Sequence, residues 1–399
     1  MATTTPNFGW SVPTSSDLVK NGATAIETLG DSIDASLVDL KGGTTGQVLA
    51  KATNTDMDFT WTTPSAGSSG SSNVAGKNGV INSNFSIWQR GTSVAQTGSA
   101  TYTADRWCAL RAGGTTGTTI SRQVTNDTTN LPFIQYAARV QRDLANTGTS
   151  KIFFANNFET VNTIPFVGKT VTFSFYARKG ANYTSASDAL EAKVIYGTGT
   201  DQNNLVAYTG EADVINQTAT LTTTWQRFSY SATVSTSATE LAVRFAYTPV
   251  GTALANDYFE VTGVQLEIAA SVSAYSPNAA TFQEELAACQ RYYIRNTTGG
   301  NGGAQFSQGN SASTTLVLYP IPLPVTMRIN PNSIDYNGTT VYDIGTGAST
   351  AISALTINQA TPQFVLLLAT VASGLTQYRP YNLYANTSAA AYIGLSAEL

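Results

Sequence analysis

Histidine is missing altogether from this 399-residue chain. That removes the Ser-His-Asp and Cys-His nucleophile arrangements and every zinc site that needs an imidazole. Cysteine is nearly missing too. Cys108 and Cys289 stand far apart, which excludes a disulfide framework and a four-thiolate metal site within one chain. They read as two small buried thiols, which fits assembly in a reducing cytoplasm. Charge is scarce at 12% of residues, against roughly a quarter in ordinary domains. With a net charge of −4 there is no basic face for nucleic acid. Gly113-Gly114 and Gly299-Gly300 are isolated pairs in polar loops, and no P-loop or dinucleotide fingerprint surrounds them. No cofactor and no metal is expected. Long apolar runs are lacking as well. Phe364–Ala369 is the longest, far short of the ~20 residues a bilayer requires, so membrane insertion is not expected. MATTTPNFGW has neither the basic nor the apolar region of a signal peptide.

What is present is β-forming. Hydrophobic residues make up 42% and aromatics 10%, which argues against disorder. Gly, Ser, Thr and Asn fill the place of the missing charges, as suits extended β structure. The length implies more than one domain. Residues 1–64 hold three lysines (20, 41, 51) against seven carboxylates, and so account for the whole net charge of −4. Residues 1–23 read as extended, with Phe8, Trp10 and Val12 on one alternating face. Such a face suggests docking on another protein. Thr24–Leu40 reads as a helix opened by a Thr24/Glu27 capping box and stopped by Gly42-Gly43. Its apolar stripe is Ile26, Leu29, Ile33, Leu37 and Leu40. A helix this short must pack that stripe on something. Self-association as a short coiled coil is the simplest answer, and a neighbouring β module is the other. Gln47–Lys51 and Asp58–Thr62 read as a hairpin. Residues 65–76 (SAGSSGSSNVAG) are a linker by composition.

From Lys77 to Ala274 short alternating strands, separated by Gly/Ser/Thr/Asn clusters, have the signature of a sandwich. It opens at Gly79–Trp107, with a first strand over Val80–Trp88. Val171, Phe173 and Phe175 share one face of a strand, and Leu241, Val243 and Phe245 share one face of another. Residues 275–298 form a helical connector, with Thr281 and Glu284 in a capping box and a stripe of Phe282, Leu286, Cys289 and Tyr293. Residues 299–399 read as a smaller all-β module, with Pro320, Pro322 and Pro324 at an edge or corner.

Several of these stretches carry a resemblance. NGVINSNFSIWQRGTS with YTADRW, at Asn78–Trp107, resembles the opening of receptor-binding or fibre proteins of tailed bacteriophages. VGKTVTFSFYARKG, TWQRFSYSATV and FEVTGVQLEIA are similar to a jelly-roll carbohydrate-binding module, and EELAACQRYY to a segment that follows it in phage fibres. The GQVL…FTW pattern resembles segments near fibre N-termini. Apart from this last pattern, the resemblance covers roughly Asn78 to Leu399. The resemblance implies a mainly β protein: a jelly-roll β-sandwich, a smaller C-terminal β module and a short N-terminal helix, in a trimeric fibre. It implies a virion structural protein, a tail fibre or tail-tip protein, anchored through residues 1–64 to phage tail or capsid proteins. Assembly would take place in the host cytoplasm. Release without a signal peptide would then be by lysis. A capsid (head) fibre or decoration protein is the alternative placement, and a tail-associated polysaccharide depolymerase is the enzymatic alternative.

A glycosidase needs two carboxylates across a cleft. The candidates are Asp105, Glu159, Glu191, Asp257, Glu260 and Glu267. Asp105 reads as a partner for Arg106 or a turn residue, so no catalytic residue is assigned and the chain is not expected to be an enzyme. Sugar binding needs aromatic platforms and matching polar groups. Opposite the core-facing strand positions lie Ser174, Tyr176 and Arg178, Arg244, and Arg139 with Gln141. If their strands are neighbours, Tyr176, Arg244, Arg139 and Gln141 line one groove for a neutral or weakly acidic host-surface glycan. Otherwise they are ordinary half-exposed positions or subunit contacts. Trp88, Trp107 and Trp225 lie in the fold-building motifs and are assigned to the core.

Overall fold

The computed structural model describes residues 3–63, 76–131, 133–300, 302–386 and 388–399. The chain divides into two compact units, Met1–Ser71 and Ser72–Leu399. The linker expected at 65–76 lies outside the described residues apart from Gly76.

In the first unit the expected extended run folds back on itself. Strand β1 (Thr3–Thr4) pairs antiparallel with β2 (Ser11–Val12), turning at the Pro6–Gly9 segment. Phe8 stacks on Trp10 with ring centroids 4.8 Å apart. Helix α1 (Gly22–Leu37) is followed by a 3-10 turn at Val38–Leu40. The capping box at Thr24 and Glu27 does not form. A preceding 3-10 turn, Val19–Asn21, starts the helix earlier, and Thr24 lies inside it, its carbonyl accepting from Thr28 Oγ1 (2.9 Å). Ser32 and Ser36 repeat this back-bonding one turn on, and Ser36 Oγ accepts Trp10 Nε1 at 3.1 Å. The stripe divides. Leu29 and Ile33 are half-buried, while Ile26, Leu37 and Leu40 are exposed. Strands β3 (Val48–Lys51) and β4 (Phe59–Thr62) form the hairpin where the sequence places it. Trp61 lies over Gly43, whose φ is +79°. A Cβ there would stand 2.7 Å from the indole, so only glycine fits. No described residue of this unit is buried.

The second unit begins with twelve strands: β5 (Ser93–Ala95), β6 (Thr101–Tyr102), β7 (Trp107–Arg111), β8 (Thr118–Val124), β9 (Tyr136–Arg142), β10 (Ile152–Asn157), β11 (Thr170–Lys179), β12 (Ala189–Gly197), β13 (Ala212–Thr220), β14 (Gln226–Thr233), β15 (Glu240–Tyr247) and β16 (Tyr258–Glu267). A one-turn helix, α2 (Thr160–Thr163), follows β10. The strands make two six-stranded antiparallel sheets, ordered β13-β12-β15-β10-β7-β6 and β14-β11-β16-β9-β8-β5. Their inner faces meet in one core, where Phe173 and Phe175 of one sheet pack on Phe245 of the other (5.7 and 4.8 Å). This is the sandwich that the alternation predicts.

The opening stretch departs from expectation. Val80–Trp88 is not a strand. Asn82 and Phe85 have φ of +54° and +55°, and the Asn82 side chain bonds Ile87 N (3.1 Å), Ile87 O (2.8 Å) and Asp105 O (3.0 Å). Asn side chains that satisfy backbone groups compete with a β ladder. The segment is a compact plug whose Val80, Phe85, Ile87 and Trp88 are buried in the core. Leu205 and Val206 lie in a turn, and the run 212–220 forms β13.

Helix α3 (Phe282–Gln290) has its capping box: Thr281 and Glu284 bond reciprocally at 2.9 and 3.3 Å. The helix takes up only this part of the expected connector 275–298, and β17 (Tyr293–Thr297), with Tyr293 and Ile294 both buried, follows within it. The rest is β18 (Gln305–Ser311), β19 (Leu316–Pro322), β20 (Ser333–Asn337), β21 (Thr339–Tyr342), β22 (Ser349–Thr361), β23 (Phe364–Val371), β24 (Pro380–Ala385) and β25 (Tyr392–Ser396). Six of these close a barrel, β18-β19-β23-β22-β21-β24, and β17-β25-β20 form a small sheet beside it. The C-terminal module therefore starts at Tyr293, inside the expected connector. Pro320 and Pro322 follow the point where β19 stops pairing with β18, as residues lacking an N–H must.

The chain's last residues return to the sandwich. Glu398 pairs with Arg106 and with Arg90 (3.2 Å), and Arg106 stacks on Tyr292 at 3.4 Å. Burial opposes the Arg106 charge, and Glu398 with Tyr292, Tyr102 and Cys289 together more than offset it, so its pKa lies above the ordinary arginine value. Asp105 is not the partner of Arg106. It accepts Gln89 N (2.9 Å) and Nε2 (2.5 Å), and burial pushes its pKa up. Among the described residues no helix is long and apolar enough to cross a membrane.

Candidate functional site

Alternation sets which side chains leave the core. In β11 the core takes Val171, Phe173, Phe175 and Ala177, so Ser174, Tyr176 and Arg178 point outward. In β9, Ala138 and Val140 are inward, and Ala137, Arg139 and Gln141 outward. Between these strands runs β16. Its outward Glu260, Thr262, Gln265 and Glu267 are all buried, so this outer face is covered.

The cover has two parts. One is the loop at 125–131 and 133–135. Asp127 builds it by accepting from Thr129 N (3.0 Å), Asn130 N (2.7 Å) and Asn130 Nδ2 (2.9 Å). These bonds, the Asn130 side chain first, hold its carboxyl below the usual range. Leu131 and Ile134 then anchor the loop on Ala137 and Trp225, with Tyr176 and Tyr275 packed alongside. The other part is the 268–277 segment, tied down through Glu267 and Gln265 to Ser273 and Ser276. Between them lies a cleft of about 610 Å³, lined among others by Phe133, Asn130, Tyr176, Arg227, Tyr275 and Asn84. Phe133 is 90% exposed, while Leu131 and Ile134 near it are buried.

Tyr176 reaches this cleft through a bulge. The β11–β16 register shifts between Ser174 and Tyr176, opposite Gly263. Gly263 has φ +55°, and a Cβ on it would stand 2.7 Å from Ile134 and 2.9 Å from the Tyr176 ring. An extra residue in left-handed conformation re-aims the partner strand's side chain.

Of the four residues expected to line one groove, Tyr176, Arg244, Arg139 and Gln141, the structure brings together only part. Arg139 and Tyr176 share this face. Arg139 and Arg178 clamp buried Glu260 at 2.6 Å each, and their guanidiniums lie over Tyr258 (3.9 Å) and Trp225 (4.8 Å). Gln141 stands farther along β9, donating to Ala255 O at 2.9 Å. Arg244 does not belong here. It projects from β15 of the opposite sheet, where Asn204 Oδ1 (2.9 Å) and Glu211 (3.5 Å) hold it over Phe153. The two faces are separated by the whole core, so the expected four-residue groove is corrected. Trp88, Trp107 and Trp225 are buried, Trp225 beneath the loop rather than between the sheets.

Sequence reasoning missed Phe133, Asn130, Arg227 and Tyr275. The signal lay in NDTTNLPFI, where an Asx-turn pattern meets three apolar residues in a loop. The six candidate carboxylates are all engaged. Glu159 meets Arg291, Glu191 meets Lys151, Asp257 meets Arg142, Glu260 meets two arginines, Glu267 meets Lys77, and Asp105 meets Gln89. None of them lines the cleft.

No family model matches the chain, and no curated relative matches it. Solved structures similar to it include one described as "CBM4 structure and function", at 18% identity and TM-score 0.29, covering 47% of this chain and 98% of that one. Another is TmCBM61 in complex with beta-1,4-galactotriose, at 11% identity and TM-score 0.28, covering 48% of this chain and 99% of that one. The enzymatically active domain of bacteriophage CBA120 tailspike protein 4 is similar at 13% identity and TM-score 0.27, covering 48% of this chain and 22% of that one.

Proposed function

We propose that this chain is a structural fibre protein of a tailed-phage virion, on tail or capsid, whose sandwich binds a host-surface glycan without cleaving it. The cleft carries the reading. It is a formed recess with two aromatic surfaces, Phe133 and Tyr176, beside the amides of Asn84 and Asn130. Sugar rings stack their C–H faces on such surfaces, and amides match their hydroxyls. Phe133 and Tyr176 line the same recess, so the two rings together offer an apolar wall rather than one scattered side chain. The fibre assignment is supported by the motifs of Asn78–Trp107 and their order with those that follow. The first unit supports anchoring, since a segment none of whose described residues is buried gains little stability by itself.

Binding of the full-length protein to host cells and their purified polysaccharide tests this. Phe133→Ala with Tyr176→Ala should weaken retention at least about tenfold, the loss expected for one stacked ring or more. Arg244→Ala, on the opposite face, should bind as wild type. A folded double variant that binds normally removes the cleft from consideration. Release of reducing ends would make the chain an enzyme instead.

A further inference from the structure

We infer that the cleft selects glycans bearing an acidic substituent, a carboxylate or a phosphoryl group, through Arg227. This rests on the glycan-binding reading of the same cleft and adds what distinguishes its ligand. Three arginines face outward from this sheet, Arg139, Arg178 and Arg227. The first two share Glu260. Glu267 is taken by Lys77 (3.7 Å), by Ser273 N (3.0 Å) and by Gln265 Nε2 (2.8 Å), and Asp127 is committed to its own loop. Arg227 has none. Among the described residues it makes no ion pair. Its Nη2 donates to Ser273 O (2.6 Å) and Ser174 Oγ (3.3 Å), both neutral. No hydrogen bond runs from its Nη1, and its Nε is buried with no partner. The guanidinium lies 5.3 Å from the centre of the Tyr176 ring.

A half-buried cation without a counter-charge is held at a cost that an anion in the cleft would remove. A guanidinium also offers the geometry that carboxylate and phosphate oxygens accept. A sugar stacked on Tyr176 would bring an acidic substituent within reach of the same residue pair. A neutral sugar would leave Arg227 unmatched, so the discrimination is built in.

Matched polymer pairs decide it: polygalacturonate and alginate against their carboxyl-reduced forms, and phosphomannan against mannan, each titrated into the full-length protein. At least one acidic member should bind about tenfold tighter than its neutral counterpart, a charge-assisted contact's share. The advantage should shrink with added salt. It should vanish in Arg227→Gln and persist, weakened, in Arg227→Lys, which keeps the charge but not the planar fork. If Arg227→Gln fails to fold, Arg227→Lys and the salt titration of the wild type decide. Equal binding of acidic and neutral members would overturn the acidic preference and leave glycan binding standing. Binding by no member would overturn both. Of the two acidic sources, the pair that shows the gap names the substituent.

Discussion

At the scale of single residues, Gly263 governs the site without touching a ligand. Its left-handed backbone makes the bulge, and its missing side chain makes room for Tyr176. Gly263→Ala should cost about 1–2 kcal/mol for the backbone alone, more once the ring is displaced. The melting temperature should fall by several degrees and glycan retention should drop with it, both read on one preparation. Tyr176 differs. It packs against the Trp225 cluster at its rim, so its removal should affect binding far more than melting. The two cysteines make a separate case. Both are buried and unpaired. Burial pushes the Cys108 thiol up to about 12 and raises Cys289 as well. Native protein at pH 8 should therefore react with almost none of a thiol reagent, and denatured protein with two equivalents. Ready reaction in the native state would mean that these strands open.

Among elements, the C-terminal strand β25 carries the largest consequence. It joins β17 to β20, and the residues beyond it carry Glu398 to Arg106 and Arg90. Arg106 is 1% exposed and Glu398 5%. Removing one partner of such a pair leaves an uncompensated buried charge, worth about 3–5 kcal/mol. Glu398→Gln should thus raise hydrogen exchange in β17 and β25 before it does so in the sandwich strands. Arg106→Met should be milder, because Glu398 keeps Arg90. If exchange in β25 is unchanged in Glu398→Gln, the module is held by the barrel core and not by this pair. The first unit's elements behave otherwise. Helix α1 shows Ile26 64% exposed, and its hydroxyl column, not a cap, ties it to Trp10.

For the whole molecule, the charge-poor surface, the exposed part of the α1 stripe and the half-exposed Leu366 and Leu368 of β23 together lead us to expect a parallel homotrimer. Light scattering at micromolar concentration should give a mass near three times 42.0 kDa, and a monomer mass would count against it. Removing residues 1–23, with Phe8, Trp10 and Val12, should abolish incorporation into particles and leave the melting of the second unit unchanged. Single clefts of this kind bind in the ~millimolar to ~micromolar range. Three on one fibre would raise avidity by about 10²-fold, so a monomeric form should lose cell adhesion while keeping its intrinsic affinity.

Local patterning was enough for much of this. Period-2 alternation in 170–178 and 240–247 told strand from helix and core face from outer face. Thr281 and Glu284 marked the start of α3, and the absence of histidine settled what chemistry was unavailable. Those signals act over a few residues, so they can be read along the chain. The remainder depended on partners far away in sequence. Which sheet Arg244 joins depends on β15 lying between β12 and β10, an arrangement no single strand encodes. Val80–Trp88 alternates like a strand, yet Asn82 draws it into a plug by bonding Asp105 O across 23 residues. Arg106 passes over its neighbour Asp105 for Glu398, 292 residues on. The cleft exists because the loop residues 125–131 and 133–135 and the 268–277 segment close over one face of a sheet. Loop placement and ion pairing follow from three-dimensional proximity, which the folded core creates, and so the site was decided by the tertiary structure.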